Sequence, residues 1–208
     1  SVGNLRQILV SELSGVSNIA ATVDPKFNIA DDRDAQKRIL QRLMELENDG
    51  YEFEAAQASL EMLVRKTLGG QWYHPLWILD HYRCIIARTP SGISSEATVK
   101  IVVHGQTWHT VSESGGPVDS LFGAMQRALE SAYPTVSELH LKDYRVRVIN
   151  TEAGAAARVR VAIDWRDKTS GQYFTTVGVD QNVIDASWLA LNDAIQYKLL
   201  SEEEAASV

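Results

Sequence analysis

The chain has 208 residues, 45% of them hydrophobic, with a formal net charge of −7. This is enough to close one large or two small cores and excludes global disorder. The acidic balance argues against nucleic acid as a partner, and a single cysteine, Cys84, excludes an internal disulfide and fits a reducing compartment.

The first residues, SVGNLRQILV, lack the charged start and long apolar run of a signal peptide and read like the middle of a chain. No segment approaches the ~20 apolar residues of a membrane span, so a cytoplasmic protein without a membrane partner is expected. Ser11–Asn18 (SELSGVSN) is turn-rich, and Asp24-Pro25 and Asp31-Asp32 mark a loop. From Arg33, Ile39, Leu40, Leu43, Met44 and Leu46 recur at helical spacing, and Gly50 ends that helix. A second helix is predicted from about Glu54 to Leu68, with Ala55, Ala58, Leu60, Leu63 and Val64 as its apolar stripe and Gly69-Gly70 as its stop. Together they form a helical hairpin over 33–68, whose Glu45, Glu47, Glu52, Glu54 and Glu61 read as solvated faces. Residues 71–78 (QWYHPLWI) are an aromatic connector.

The rest of the chain contains one pattern twice. Copy one (77–134) has strands near 79–89, 95–103 and 107–112 and a helix from about Pro117 to Ala132. Copy two (135–201) has strands near 139–150, 155–165 and 172–178 and a helix from about Asn182 to Leu200. At an offset of 66, Thr110, Val111, Asp119, Ala124 and Ala128 match Thr176, Val177, Asp185, Ala190 and Ala194. The preceding strands, Ala97–Val103 and Ala157–Ile163, match at an offset of 60, which implies six extra residues in one turn of copy two. Alternation in RVRVI and RVRVAI predicts sheets covered on one face, their Arg- and Lys-rich faces solvated. The polar tail 202–208 is expected to fray. The fold class is therefore α+β: a helical start over 1–76, then a duplicated βββα domain over 77–201 with pseudo-twofold symmetry that brings the two helix starts toward a shared region.

Ser114-Gly115-Gly116-Pro117 opens the first of these helices. Pro117 fits the first helical position, and the glycines leave backbone N–H groups open at a positive helix end, which suits a carboxylate or phosphate. Ordinary capping explains the same residues, as it does Asp180-Gln181-Asn182 at the equivalent place in copy two. The duplicated position favours a binding role. His74, His81, His104, His109 and His140 are scattered; His104 and His109 could approach across a hairpin, but two ligands make a weak metal site. No nucleophile–base set or phosphate loop is present. Cys84, Trp108, Phe122, Trp188 and Tyr197 read as core residues.

Segments 2–18 (VGNLRQILVSELSGVSN), 51–66, 95–105, 114–121 (SGGPVDSL) and 175–191 (TTVGVDQNVIDASWLAL) resemble the C-terminal part of the citramalate synthases, within the 2-isopropylmalate and homocitrate synthase family. The resemblance covers essentially the whole chain. It implies a catalytic barrel, outside this chain, that binds a divalent metal and condenses acetyl-CoA with a 2-oxo acid (pyruvate for citramalate synthases). This chain would itself need no cofactor and catalyse nothing. Residues 1 to about 76 would be linker subdomains, and 77–201 an allosteric and dimerisation domain serving isoleucine biosynthesis. Partners would be isoleucine, or leucine in the isopropylmalate branch, a second copy of the chain, and the barrel itself. The family's G-x-G-P motif falls on Ser114–Pro117, with Ser114 where Gly is usual, narrowing the pocket. By the same likeness Val118, Val179, Asn182 and Ile184 lie near the effector, with Leu141 and Tyr144 opening the second copy. Physically, Val118, Leu121, Val179 and Ile184 supply an apolar slot beside Gly178, the helix starts bind the effector carboxylate, and Asp119, Asp180 or backbone carbonyls take its ammonium.

Overall fold

The computed structural model describes residues 26–29, 31–149 and 157–206. The turn-rich start expected at 11–18 and the Asp24-Pro25 loop fall outside the described residues, as does most of the segment 150–157. The described residues divide into two units, one ending at Asp49 and resuming over Leu60–His74, the other formed by Gly50–Ser59 with the chain from Pro75 onward.

The first unit is helical. Helix α1 (Arg33–Asn48) begins where the Asp32 side chain accepts a hydrogen bond from the Ala35 amide at 2.9 Å, and its buried residues are Ala35 and Ile39. Helix α2 covers Gln57–Leu68, three residues later than the apolar stripe suggested. The Arg65 side chain is buried in this unit, paired to Glu61 at 2.9 Å and lying over the Phe27 ring, which meets Trp72 edge-on.

The second unit holds the duplication. Strands β1 (Ile78–Thr89), β2 (Gly92–Val103) and β3 (Gln106–Ser114) form one antiparallel sheet in that order, followed by helix α3 (Pro117–Leu129). Strands β4 (Leu139–Ile149), β5 (Arg158–Asp167) and β6 (Tyr173–Asp180) form the other, followed by helix α4 (Val183–Ala206). The inner faces alternate as the sequence does: Ala97, Val99 and Ile101 of β2 pack against Leu121, Met125 and Leu129, and Val161, Ile163 and Trp165 of β5 against Leu191 and Ile195. Phe122 meets Trp165 at 5.1 Å between ring centroids and Tyr82 stacks on Trp188 at 4.6 Å, so each copy sends an aromatic into the other.

The equivalence extends to single hydrogen bonds. Thr110 Oγ1 donates to the Ala124 carbonyl at 2.6 Å, and Thr176 Oγ1 to the Ala190 carbonyl at 2.9 Å. Both first strands carry a register irregularity at the same point, Leu79/His81 and Leu141/Asp143. The structure corrects one expected alignment. Tyr82 pairs with Val99 and Tyr144 with Ile163, so β2 and β5 correspond at an offset of 64, not 60. The second hairpin of copy two is then longer by two residues rather than six. A strand pattern of period two is unchanged by an even slip, so alternation alone admitted the wrong register.

Three further expectations change. The tail does not fray within the described residues: α4 runs to Ala206, with Glu202 bound to Lys198 and to Thr135. Gly50–Ser59, read as part of the helical hairpin, packs with the duplicated unit. The Ser59 hydroxyl accepts from the Val177 amide at 2.9 Å and Arg160 donates to the Gly50 carbonyl at 2.6 Å. This segment covers part of the outer face of the second sheet and buries Val177 and Val179, so that Arg-rich face is not wholly solvated.

Candidate binding site at two helix starts

Both helix starts lie against the inner face of β1. Residues two apart on a strand share a face; of two such residues, Tyr82 donates from its hydroxyl to Asp185 in the first turn of α4, and Cys84 has its Sγ 3.8 Å from the carbonyl of Pro117, the first residue of α3. The shared region expected from the duplication thus exists, and β1 forms its floor.

The chain enters both helices in the same way. Ser114 Oγ accepts from the Gly116 amide at 3.3 Å, and at the equivalent place Asp180 Oδ1 accepts from the Asn182 amide at 2.9 Å. Asn182 then accepts from the Ile184 amide at 2.8 Å, whereas Gly116, which caps α3, offers no side-chain acceptor. Pro117 carries no amide hydrogen, so the donors left without a cap at the α3 start are those of Val118 and Asp119. Around it lies a row of hydroxyls: buried Ser120 donates to the Ser95 carbonyl at 2.7 Å and touches Ser114 Oγ at 2.8 Å. The Ser95 hydroxyl, fully buried in this row, has no hydrogen-bond partner among the described residues.

Gly115 and Gly116 have open space where a side chain would stand, and neither adopts a left-handed backbone. The fold therefore does not require glycine at either position. Gly178 contrasts with them: a Cβ there would collide with the Ala186 carbonyl and lie 2.9 Å from Leu189 Cβ, so this glycine lets α4 sit close on β6.

Titration at the site follows burial. Burial pushes the Tyr82 phenol up, and the neighbouring Asp185 carboxylate adds to the rise. Burial also raises the Cys84 thiol, which keeps it neutral and unreactive. The Tyr144 phenol is raised by burial and partly relieved by its 2.9 Å hydrogen bond with Ser187. At neutral pH both tyrosines are hydroxyls, able to donate.

Of the residues singled out from the sequence, Ser114, Gly115, Gly116, Pro117 and Val118 gather at the α3 start, and Asn182 and Ile184 at the α4 start; Tyr144 joins the first turns of α4 through Ser187. Leu121 is wholly buried in the core. Gly178 lies beneath α4, and Val179 points to the opposite face of the second sheet, near Gly50. Leu141 pairs with Trp165, three inner-face rows or roughly 20 Å from the helix start. His104 does not face His109: it makes a 3.1 Å hydrogen bond with Tyr133, while the His109 ring meets His81. Sequence reasoning missed Tyr82, Ser95 and Ser120. The repetition of Tyr82 as Tyr144 was a usable signal; the hydroxyl row carried none.

A model of the LeuA allosteric (dimerisation) domain matches residues 54–199. The (R)-citramalate synthase of Aquifex aeolicus is 44% identical over 207 residues, 98% of this chain and 38% of that protein. That of Geobacter sulfurreducens is 42% identical over 207 residues, with the same coverage. The 2-isopropylmalate synthase of Aquifex aeolicus is 36% identical over 109 residues, 51% of this chain and 19% of that protein. The chain thus spans 38% of the length of these two citramalate synthases. A solved pair of double-stranded RNA-binding domains with their linker covers 60% of this chain at 12% identity and a TM-score of 0.23, a likeness that carries no weight.

Proposed function

This chain belongs to the LeuA allosteric (dimerisation) domain family, and on that premise we propose that it is the effector-binding and dimerisation part of an acyltransferase resembling citramalate synthase. The reaction, condensation of acetyl-CoA with pyruvate on the way to isoleucine, belongs to a catalytic region beyond this stretch. Isoleucine is the effector. It binds at the two helix starts, its carboxylate on the amides of Gly115 and Val118, its side chain against Val118, Ile184 and the inner face of β1. The Tyr82 hydroxyl and the Asp185 and Asp119 carboxylates flank the place of its ammonium.

The observation that carries this reading is the open space at Gly115 and Gly116 beside an uncapped helix start. Glycine that the fold does not need, at a place where backbone donors stand free, is what close approach of an anionic group requires. Both sheets support a two-copy arrangement. Ile86 and Val148 occupy equivalent positions in the inner-face rows that meet the helix starts, yet are 61% and 52% exposed. A second copy of the chain would cover them. Inhibition then follows if isoleucine binds one arrangement of the dimer better than another, since equal binding shifts nothing.

Titration calorimetry of this chain with isoleucine, leucine and valine tests the reading. Saturable binding selective for isoleucine is expected. Preference for leucine would move the chain to the isopropylmalate branch, for which the 36% identity to a 2-isopropylmalate synthase gives some support. Binding of none of the three would refute the effector role.

A further inference from the structure

The outer face of the second sheet, the side away from its helix, carries a separate groove of about 370 Å³ between the Glu52–Ala56 segment and strands β4, β5 and β6. That volume lies within the range of small-molecule sites. Its bed is apolar, formed by Ala55, Ala56, Ala162 and Val177, and its polar rim holds three arginines, Arg145, Arg147 and Arg160.

The three arginines of this rim, which also holds Glu52 and Glu54, are not equally partnered. Arg147 and Arg160 are direct cross-strand partners, an arrangement that is destabilising for like charges unless an anion lies between or beside them. Arg160 has its anion: Glu52 pairs with it at 2.5 Å, and the Gly50 carbonyl accepts from its Nε. Arg145 has two, Asp164 through a two-pronged contact at 2.6 and 2.9 Å and Asp143 at 2.7 Å. Arg147 has neither a hydrogen bond nor an ion pair among the described residues. Arg147, exposed opposite an arginine that is already paired and beside an apolar bed, thus keeps its guanidinium open to an anion.

We propose that this groove binds a small organic anion, its carboxylate or phosphate gripped by Arg147 and its apolar body resting on Ala55, Ala56 and Ala162. The planar fork of arginine matches the two oxygens of either group. Glu54 also lines the groove and opposes the anion. The site is independent of the helix starts, because it opens on the opposite face of the sheet and shares none of their residues.

The test is titration of the full chain with butyrate, inorganic phosphate and, at matched ionic strength, chloride, read by calorimetry and thermal unfolding. The expected result is saturable binding and a raised Tm with butyrate or phosphate but not chloride. Stronger butyrate binding identifies an aliphatic carboxylate as the ligand class, and stronger phosphate binding a phosphate ester. Arg147→Gln should weaken binding at least about tenfold, the effect of losing hydrogen bonds to a charged group. Arg147→Lys should fall between, Glu54→Gln should bind more tightly, and Arg83→Gln on the other sheet should change nothing. Should Arg147→Gln fail to fold, Ala162→Leu fills the bed and should abolish butyrate binding. No saturation beyond the chloride control, or undiminished binding by Arg147→Gln and Ala162→Leu, overturns the proposal.

Discussion

Gly116→Leu and Gly178→Ala should separate binding from folding, because the two glycines are kept for opposite reasons. A Cβ at Gly116 meets nothing within 4 Å, and the backbone there (φ −148°, ψ 151°) is open to any residue. The substitution loses a tolerable helix cap, about 0.5–1 kcal/mol, and gains about 0.4–1 kcal/mol by restricting the unfolded chain. Stability should therefore stay within about 1 kcal/mol, a Tm change of no more than about 4 °C for a chain of this size. Its isobutyl group would occupy the space above the α3 start and abolish isoleucine binding. At Gly178 even a methyl group meets two backbone atoms and Leu189 Cβ. Overpacking of this kind costs about 1–3 kcal/mol, a Tm fall of about 2–12 °C. Circular dichroism melts and isoleucine calorimetry on both variants make the comparison. Normal isoleucine binding by Gly116→Leu, or an unchanged melt for Gly178→Ala, would refute the reasoning for that glycine.

The remaining predictions concern the core, a buried ion pair and the exposed strand ends. Thr176 accepts from the Trp165 indole at 2.8 Å and donates to the Ala190 carbonyl, whereas Thr110 lacks a tryptophan. Thr176→Val should then cost about 2–3 kcal/mol and Thr110→Val about 1 kcal/mol, by urea unfolding; equal losses would contradict the assignment. Lys198 is buried against Asp167 at 2.7 Å, so Lys198→Met should cost about 3–5 kcal/mol at neutral pH. Burial pushes the Asp167 carboxyl up, but the hydrogen bonds from Lys198, Ser170 and the Thr169 amide outweigh it and hold the carboxyl below its ordinary value. That stabilisation is present above the unfolded carboxyl pKa near 4 and is lost as pH falls through the folded value. The gap between wild type and Lys198→Met should accordingly shrink below about pH 4, and a gap that widens there would contradict the pairing. Ile86→Asp combined with Val148→Asp should yield monomers in sedimentation velocity with a nearly unchanged melt; persistent dimers would remove this face from the interface.

Much of the architecture was legible because burial leaves period-two and period-3.6 marks. RVRVI and RVRVAI gave β4 and β5, and Pro117 gave the start of α3 to the residue. What periodicity leaves undetermined is which surface packs on which. Glu54–Leu68 has a helical stripe, yet nothing in it shows that Ser59 meets the exposed edge of β6 at Val177. The register of β5 against β2 slipped by four residues for the same reason. At the site, residues 114–117 and 182 came from cap chemistry, which is local, and Val118 and Ile184 from the family resemblance. Of the neighbours Gly178 and Val179, only one can face the helix, and only the sheet shows that it is Gly178. Lys198 gave no sign of burial: its partner Asp167 is distant in sequence, and the apparent i,i+4 pair with Glu202 resembles a surface contact.

The claim that the two helix starts form the effector site is tested most directly by amide NMR shifts of the labelled chain during isoleucine titration. The account predicts saturable shifts concentrated at Gly115, Gly116, Val118 and Ile184, with Cys84 on β1 following, and little change at Arg147 on the opposite face. Saturable binding whose shifts lie elsewhere, with Gly115 and Gly116 unmoved, would contradict it.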